Sequence, residues 1–189
     1  MVSVGAFVKE ATAEAHHRAE HLLLPHLTSM NSRTDYVRLL RMFYGFFHPM
    51  ELRIREHVDA SLLSDIDARR NSGFILLDLQ ALGEGGLPPL ASRLPVIDSV
   101  PEALGALYVL EGSTLGGKMI ANMLRKNAAL QLGEEHLHFF SGYREQTGPK
   151  WMQFLAVLNA REEGMNYIAE SANASFDHLA SWIHQTLNA

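Results

Sequence analysis

Apolar residues recur at intervals of three and four along nearly the whole chain, and no run alternates strictly between apolar and polar residues across hairpin turns. That pattern predicts an all-α fold. A first helix is expected over about Ser3 to Leu24, with Ser3 as its N-cap and Pro25 at its end. A second should start near Thr34 or Asp35 and run towards Leu62, kinked at Pro49. A third covers Ile66 to Leu82, and residues 83–95, rich in glycine and proline, form the longest loop. The fourth begins near Ser99, places Pro101 in its first turn and continues to Lys126. A break at Gly133, a short segment from His136 to Phe140, a helix near Pro149 to Ala160 and a last one from about Glu162 to Leu187 complete the chain. No repeat or linker divides it, so residues 1–189 read as one domain.

Composition narrows the chemistry. Hydrophobic residues make up 47% and charged residues 20%, the balance of an ordinary globular protein. A net charge of -5 offers no cationic field for nucleic acid or anionic lipid. With no cysteine, any metal must be held by histidine or carboxylate. The N-terminus lacks a basic start followed by an apolar run, and no segment approaches the roughly 18 apolar residues of a membrane span. A cytoplasmic protein without membrane partners is expected.

In the first helix the spacing gathers Val8, Ala11, Ala15, Ala19, Leu22 and Leu23 on one face. The adjacent histidines therefore differ. His17 shares a polar side with Glu10, Ala13, Glu14 and His21, whereas His16 flanks the apolar stripe beside Val8, Thr12 and Leu23. One turn on, Glu20 is spaced to hold one imidazole nitrogen of a ligating His16. A half-buried histidine bonding within its own helix would give the same spacing, so geometry alone leaves both readings open.

Gly112, Gly116 and Gly117 interrupt a segment of good helix formers, and together they give up roughly 3 kcal/mol relative to alanine. Residues 112, 113, 116, 117 and 120 share one face, a flat and bendable strip with Ser113 as its polar group. Such a strip suits a planar ligand, and it equally suits packing against another helix.

Taken together these segments resemble the haem oxygenase family. Residues 9–20, Lys-Glu-Ala-Thr-Ala-Glu-Ala-His-His-Arg-Ala-Glu, look like its proximal helix, whose axial iron ligand falls on His16. Residues 107–117, Leu-Tyr-Val-Leu-Glu-Gly-Ser-Thr-Leu-Gly-Gly, look like its distal helix, where glycine backbone lies over the iron-bound oxygen. Segments 139–143 and 147–155 extend the likeness, which is nearest to bacterial members that make biliverdin for bacteriophytochromes.

The resemblance implies haem as substrate and cofactor, O2 as co-substrate, a reductase or ferredoxin as electron donor, and biliverdin, carbon monoxide and ferrous iron as products. It assigns His16 to the metal, Gly112, Ser113, Gly116 and Gly117 to the distal surface, and Glu20, Lys9, Lys150 and Phe176 to haem binding. Tyr44 and Trp182 are weaker pocket candidates, better explained by core packing. Two positions depart from the family pattern. Ser113 stands where many members have aspartate, and Met152 and Ala156 stand where some have basic propionate anchors, which leaves Lys150 as substitute. Two rivals share the helical shape. One is a non-catalytic haem carrier or sensor, and the other is a di-iron carboxylate oxidase using Glu14-x-x-His17 and Glu135-x-x-His138.

Overall fold

The computed structural model describes residues 2–187, and these form eight α-helices without a strand. Where one N-terminal helix was expected there are two, α1 (Val4–Ala11) and α2 (Ala13–Thr28). Ser3 caps α1, its hydroxyl accepting from the Ala6 N–H at 3.3 Å. The break falls at Thr12, whose φ of -100° and ψ of -1° leave the helical register. Its hydroxyl donates to the Val8 carbonyl at 2.8 Å, the kind of local bond that competes with a helix ladder. Thr12 is consequently buried, while Ala11, expected inside, is exposed. Pro25 lies within α2 rather than ending it. The carbonyl it deprives of a partner belongs to exposed His21, where water can satisfy it.

α3 (Arg33–Arg55) opens on a capping box in which Ser32 and Asp35 satisfy each other's backbone N–H, and it stops well short of Leu62. The expected third helix is also divided. A single turn at Ile66–Ala68 is followed by extended backbone at Arg69 and then by α4 (Gly73–Ala81). The helical ladder is abandoned where Arg69 and Arg70 are drawn into the interior, 3% and 7% exposed.

α5 (Val100–Lys126) starts at Ser99 as expected and runs unbroken through all its glycines. α6 (His138–Ser141), α7 (Thr147–Asn159) and α8 (Met165–Leu187) complete the fold. α8 is the common support, packing against α1, α2, α3 and α5. It approaches α5 closely at Gly105, where an added Cβ would stand 2.9 Å from the Ser171 Cβ. The core is aromatic-rich, with Phe46, Phe47, Phe139 and Phe154 at most 1% exposed, each worth about 1.5–3 kcal/mol of burial. Among the described residues no helix is long and apolar enough to cross a membrane.

Candidate functional site

The two faces nominated by sequence lie on α2 and α5, which share α8 as a neighbour. On α2 the His16 side chain is 53% exposed, with its ring centroid 5.2 Å from that of Phe176 on α8. Phe176 is buried, so it backs the imidazole with a fixed apolar surface. His16 Nε2 lies 3.3 Å from Glu20 Oε1, so the carboxylate reaches one ring nitrogen and leaves the other for a different partner. His17 turns away, its ring paired with His21 at 6.4 Å. Lys9 is exposed in the last turn of α1.

Tyr108 on α5 is half-buried near Thr12, and burial pushes its pKa up against the opposing effect of the Thr12 hydroxyl. His16 follows Thr12 by one turn and Gly112 follows Tyr108 by one turn, each about 6 Å further along its helix.

The glycines do not form one uniform strip. A Cβ on Gly112 would lie 3.8 Å from the indole of Trp151, a Cβ on Gly117 would lie 2.7 Å from the Phe140 carbonyl oxygen, and one on Gly116 would meet nothing within 4 Å. Gly117 therefore serves helix packing, and Gly116 is the open position. Beside it a groove of about 700 Å³ runs along α5, lined by Leu115, Lys118, Met119, Asn122, Met123 and Lys126.

Ser113 is held by two bonds. Its hydroxyl donates to the Leu110 carbonyl at 2.7 Å and accepts from Arg70 Nη2 at 2.8 Å. Arg70, which sequence reasoning missed, also donates to the Leu110 carbonyl at 2.7 Å and lies 4.4 Å from the Phe139 ring centroid. Its Nε is buried without a hydrogen-bond partner, and burial lowers the guanidinium pKa despite nearby Glu111. Behind it a cavity of about 390 Å³ is lined by Tyr44, His48, Glu51 and Glu111 among others. Burial raises the Glu51 pKa more than its bonds from Ser72 lower it.

Lys150 is placed differently from expectation. Its ammonium pairs with Asp65 at 2.6 Å, so an anchoring role would have to break a formed ion pair. Trp182 donates to the Met42 carbonyl at 2.8 Å, and Tyr44 is buried and stacked on His48 at 4.9 Å, which makes both core residues. The carboxylate-histidine pairs of the di-iron reading are engaged elsewhere. Glu14 pairs with Arg18 and His138 with Asp78, and among the described residues no three metal-binding side chains converge.

Over 183 aligned residues the chain is 31% identical to Heme oxygenase PigA of Pseudomonas aeruginosa, covering 93% of this chain and 88% of the relative. The chain belongs to the heme oxygenase family. A heme oxygenase of Xanthomonas campestris pv. campestris is 33% identical over 148 residues, or 76% of this chain and 86% of that one. The solved heme oxygenase of Neisseria meningitidis, studied with NO and CO bound, superposes with a TM-score of 0.81 at 18% identity and covers 100% of this chain and 94% of its own. That likeness extends the family's fold over the whole chain. No protein-family profile matches this heme oxygenase sequence.

Proposed function

We propose that the chain degrades haem, holding it between α2 and α5 while the ring is opened to biliverdin, carbon monoxide and ferrous iron. The observation that carries this reading is a half-exposed imidazole, His16, backed by Phe176 and held at one nitrogen by Glu20 on α2, together with the open backbone at Gly116 on α5, both helices packing against α8. The donor set fits the group, because a neutral imidazole is an ordinary axial ligand of haem iron and bare backbone admits a flat ring closely. When bound, haem supplies both the iron that takes up O2 and the ring that is oxidised.

The chain's own residues do the rest. His16 would hold the iron, and Glu20, at 3.3 Å from Nε2, would orient the imidazole. Phe176 backs the imidazole and helps keep water from that face. Gly116, with no side chain and nothing within 4 Å of where one would stand, would let the group approach the α5 backbone closely. Ser113, oriented by Arg70, keeps its Oγ proton on the Leu110 carbonyl and, as a group that both donates and accepts, would relay that proton only as it takes another up from solvent. Lys9, exposed in the last turn of α1, is the propionate anchor retained in this reading, with Lys150 secondary to its Asp65 pair.

One domain spanning residues 1–189 and a cytoplasmic location complete the proposal. The reaction needs electrons, supplied by a reductase or ferredoxin, and the proposed acceptor of biliverdin is a bacteriophytochrome. The test is to mix purified protein with haem, add a reductant in air and identify any bilin by chromatography. A bilin product supports the reading. A normal haem complex that never forms bilin would leave a carrier, and absence of any complex would overturn the site.

A further inference from the structure

The bare backbone of Gly112 faces one side chain. Trp151 Cη2 and Cζ3 would lie 3.8 and 3.9 Å from a Cβ placed there, ordinary contact distance, so the indole edge already closes this part of α5. Gly116, one turn on, stays open. The wall above α5 is therefore lopsided, blocked at one end and free at the other.

The indole is firmly placed. Its ring lies 5.4 Å from Tyr108 and 5.7 Å from Phe154. The backbone behind it is fixed by charge. Arg69 Nη2 donates to the Lys150 carbonyl at 3.0 Å, while Nη1 bonds Glu111 Oε2 at 2.5 Å. One planar guanidinium thus grips the residue before Trp151 and the residue before Gly112 together. Asp65 holds Arg69 Nε at 2.9 Å and Lys150 Nζ at 2.6 Å, and the Tyr143 hydroxyl donates to the other Glu111 oxygen at 2.8 Å. The fork geometry is directional, so the brace sets the register of α7 against α5 at this one point.

We infer that Trp151 is a specificity-determining residue of the haem slot, positioned by the buried brace of Arg69, Glu111, Asp65 and Lys150. The inference rests on the haem reading above. A flat ring with four similar edges, entering a slot blocked on one side, must present a particular edge towards the open Gly116. The wall at Gly112 therefore helps choose which meso carbon lies under the reacting oxygen. Arg69 acts through Trp151 and is a positioning residue.

The experiment compares the haem complexes of the full chain with those of Trp151→Ala, Trp151→Phe, Arg69→Lys and the milder Lys150→Met. Thermal melts monitor folding, the Soret band monitors ligation, the haem-methyl proton spectrum of the cyanide complex reports seating, and chromatography reports the bilin isomers. Trp151→Ala is expected to keep the Soret band, show a second set of haem-methyl resonances and raise the minor isomer several-fold. Trp151→Phe should restore most of the parent pattern. Arg69→Lys or Lys150→Met should shift both seating and isomer ratio with Trp151 still in place. A normal parent complex whose methyl pattern and isomer ratio are unmoved in every folded variant would overturn this inference alone. A parent chain that forms no haem complex would overturn it together with the proposed function.

Discussion

Gly116 and Gly117 are neighbours in sequence with opposite surroundings: a side chain on Gly117 would strike the Phe140 carbonyl oxygen, and one on Gly116 would enter open space. The two glycines therefore answer to different constraints, one to helix packing and one to the proposed haem site.

The contrast is directly testable. Gly117→Ala should destabilise the haem-free protein by about 1–3 kcal/mol, since the backbone of α6 must move to admit a methyl group. Gly116→Ala should leave it unharmed or stabilise it by up to about 1 kcal/mol through helix propensity. Gly116→Leu should fold yet bind haem weakly. Thermal melts and haem titration read the three, and equal melts for the two alanine variants would contradict the assignment.

The adjacent histidines should separate as cleanly. His16→Ala is expected to lose or greatly weaken the axial bond and with it the parent haem spectrum, whereas His17→Ala, altering a ring that faces His21, should leave that spectrum intact. The reverse result would place the ligand on the wrong neighbour.

Ser113→Ala removes one of the two acceptors of Arg70 Nη2, the Leu110 carbonyl being the other, in a side chain whose Nε already lacks a partner. The cost expected for leaving that donor short is about 1–3 kcal/mol. Turnover should slow, or oxygen should be diverted to peroxide. Calorimetry together with a peroxide assay checks both, and unchanged values in each would remove Ser113 from the mechanism.

The brace carries a pH signature through Asp65. Burial alone would raise its pKa, but Lys150 and Arg69 together hold it below the ordinary 3.8. A lowered carboxylate pKa means stability that is present above the ordinary value and lost as pH falls through the folded one. The melting-temperature gap between the parent and Asp65→Asn should therefore hold steady from neutral pH to near 4 and close below it. A gap that widens in acid would show that the pair is not formed.

Much of this was legible along the chain. Three- and four-residue spacing announced the helical class, separated His16 from His17 and marked the capped start of α5 at Ser99. Glu111, a lone carboxylate in an apolar stretch, was an overlooked hint that a buried partner had to exist. Its partner Arg69 lies 42 positions away and had no local mark.

Sequence by itself determined the helical class, most of the inward-facing positions and the two segments proposed to meet a ligand, because these depend on neighbours within one turn. Tertiary structure alone decided that Thr12 splits the first helix, that Lys150 answers Asp65, that Trp151 covers Gly112 and that Gly117 packs while Gly116 stays open. Such choices depend on which surfaces distant helices bring together, and side-chain periodicity records that a face is buried without recording what buries it.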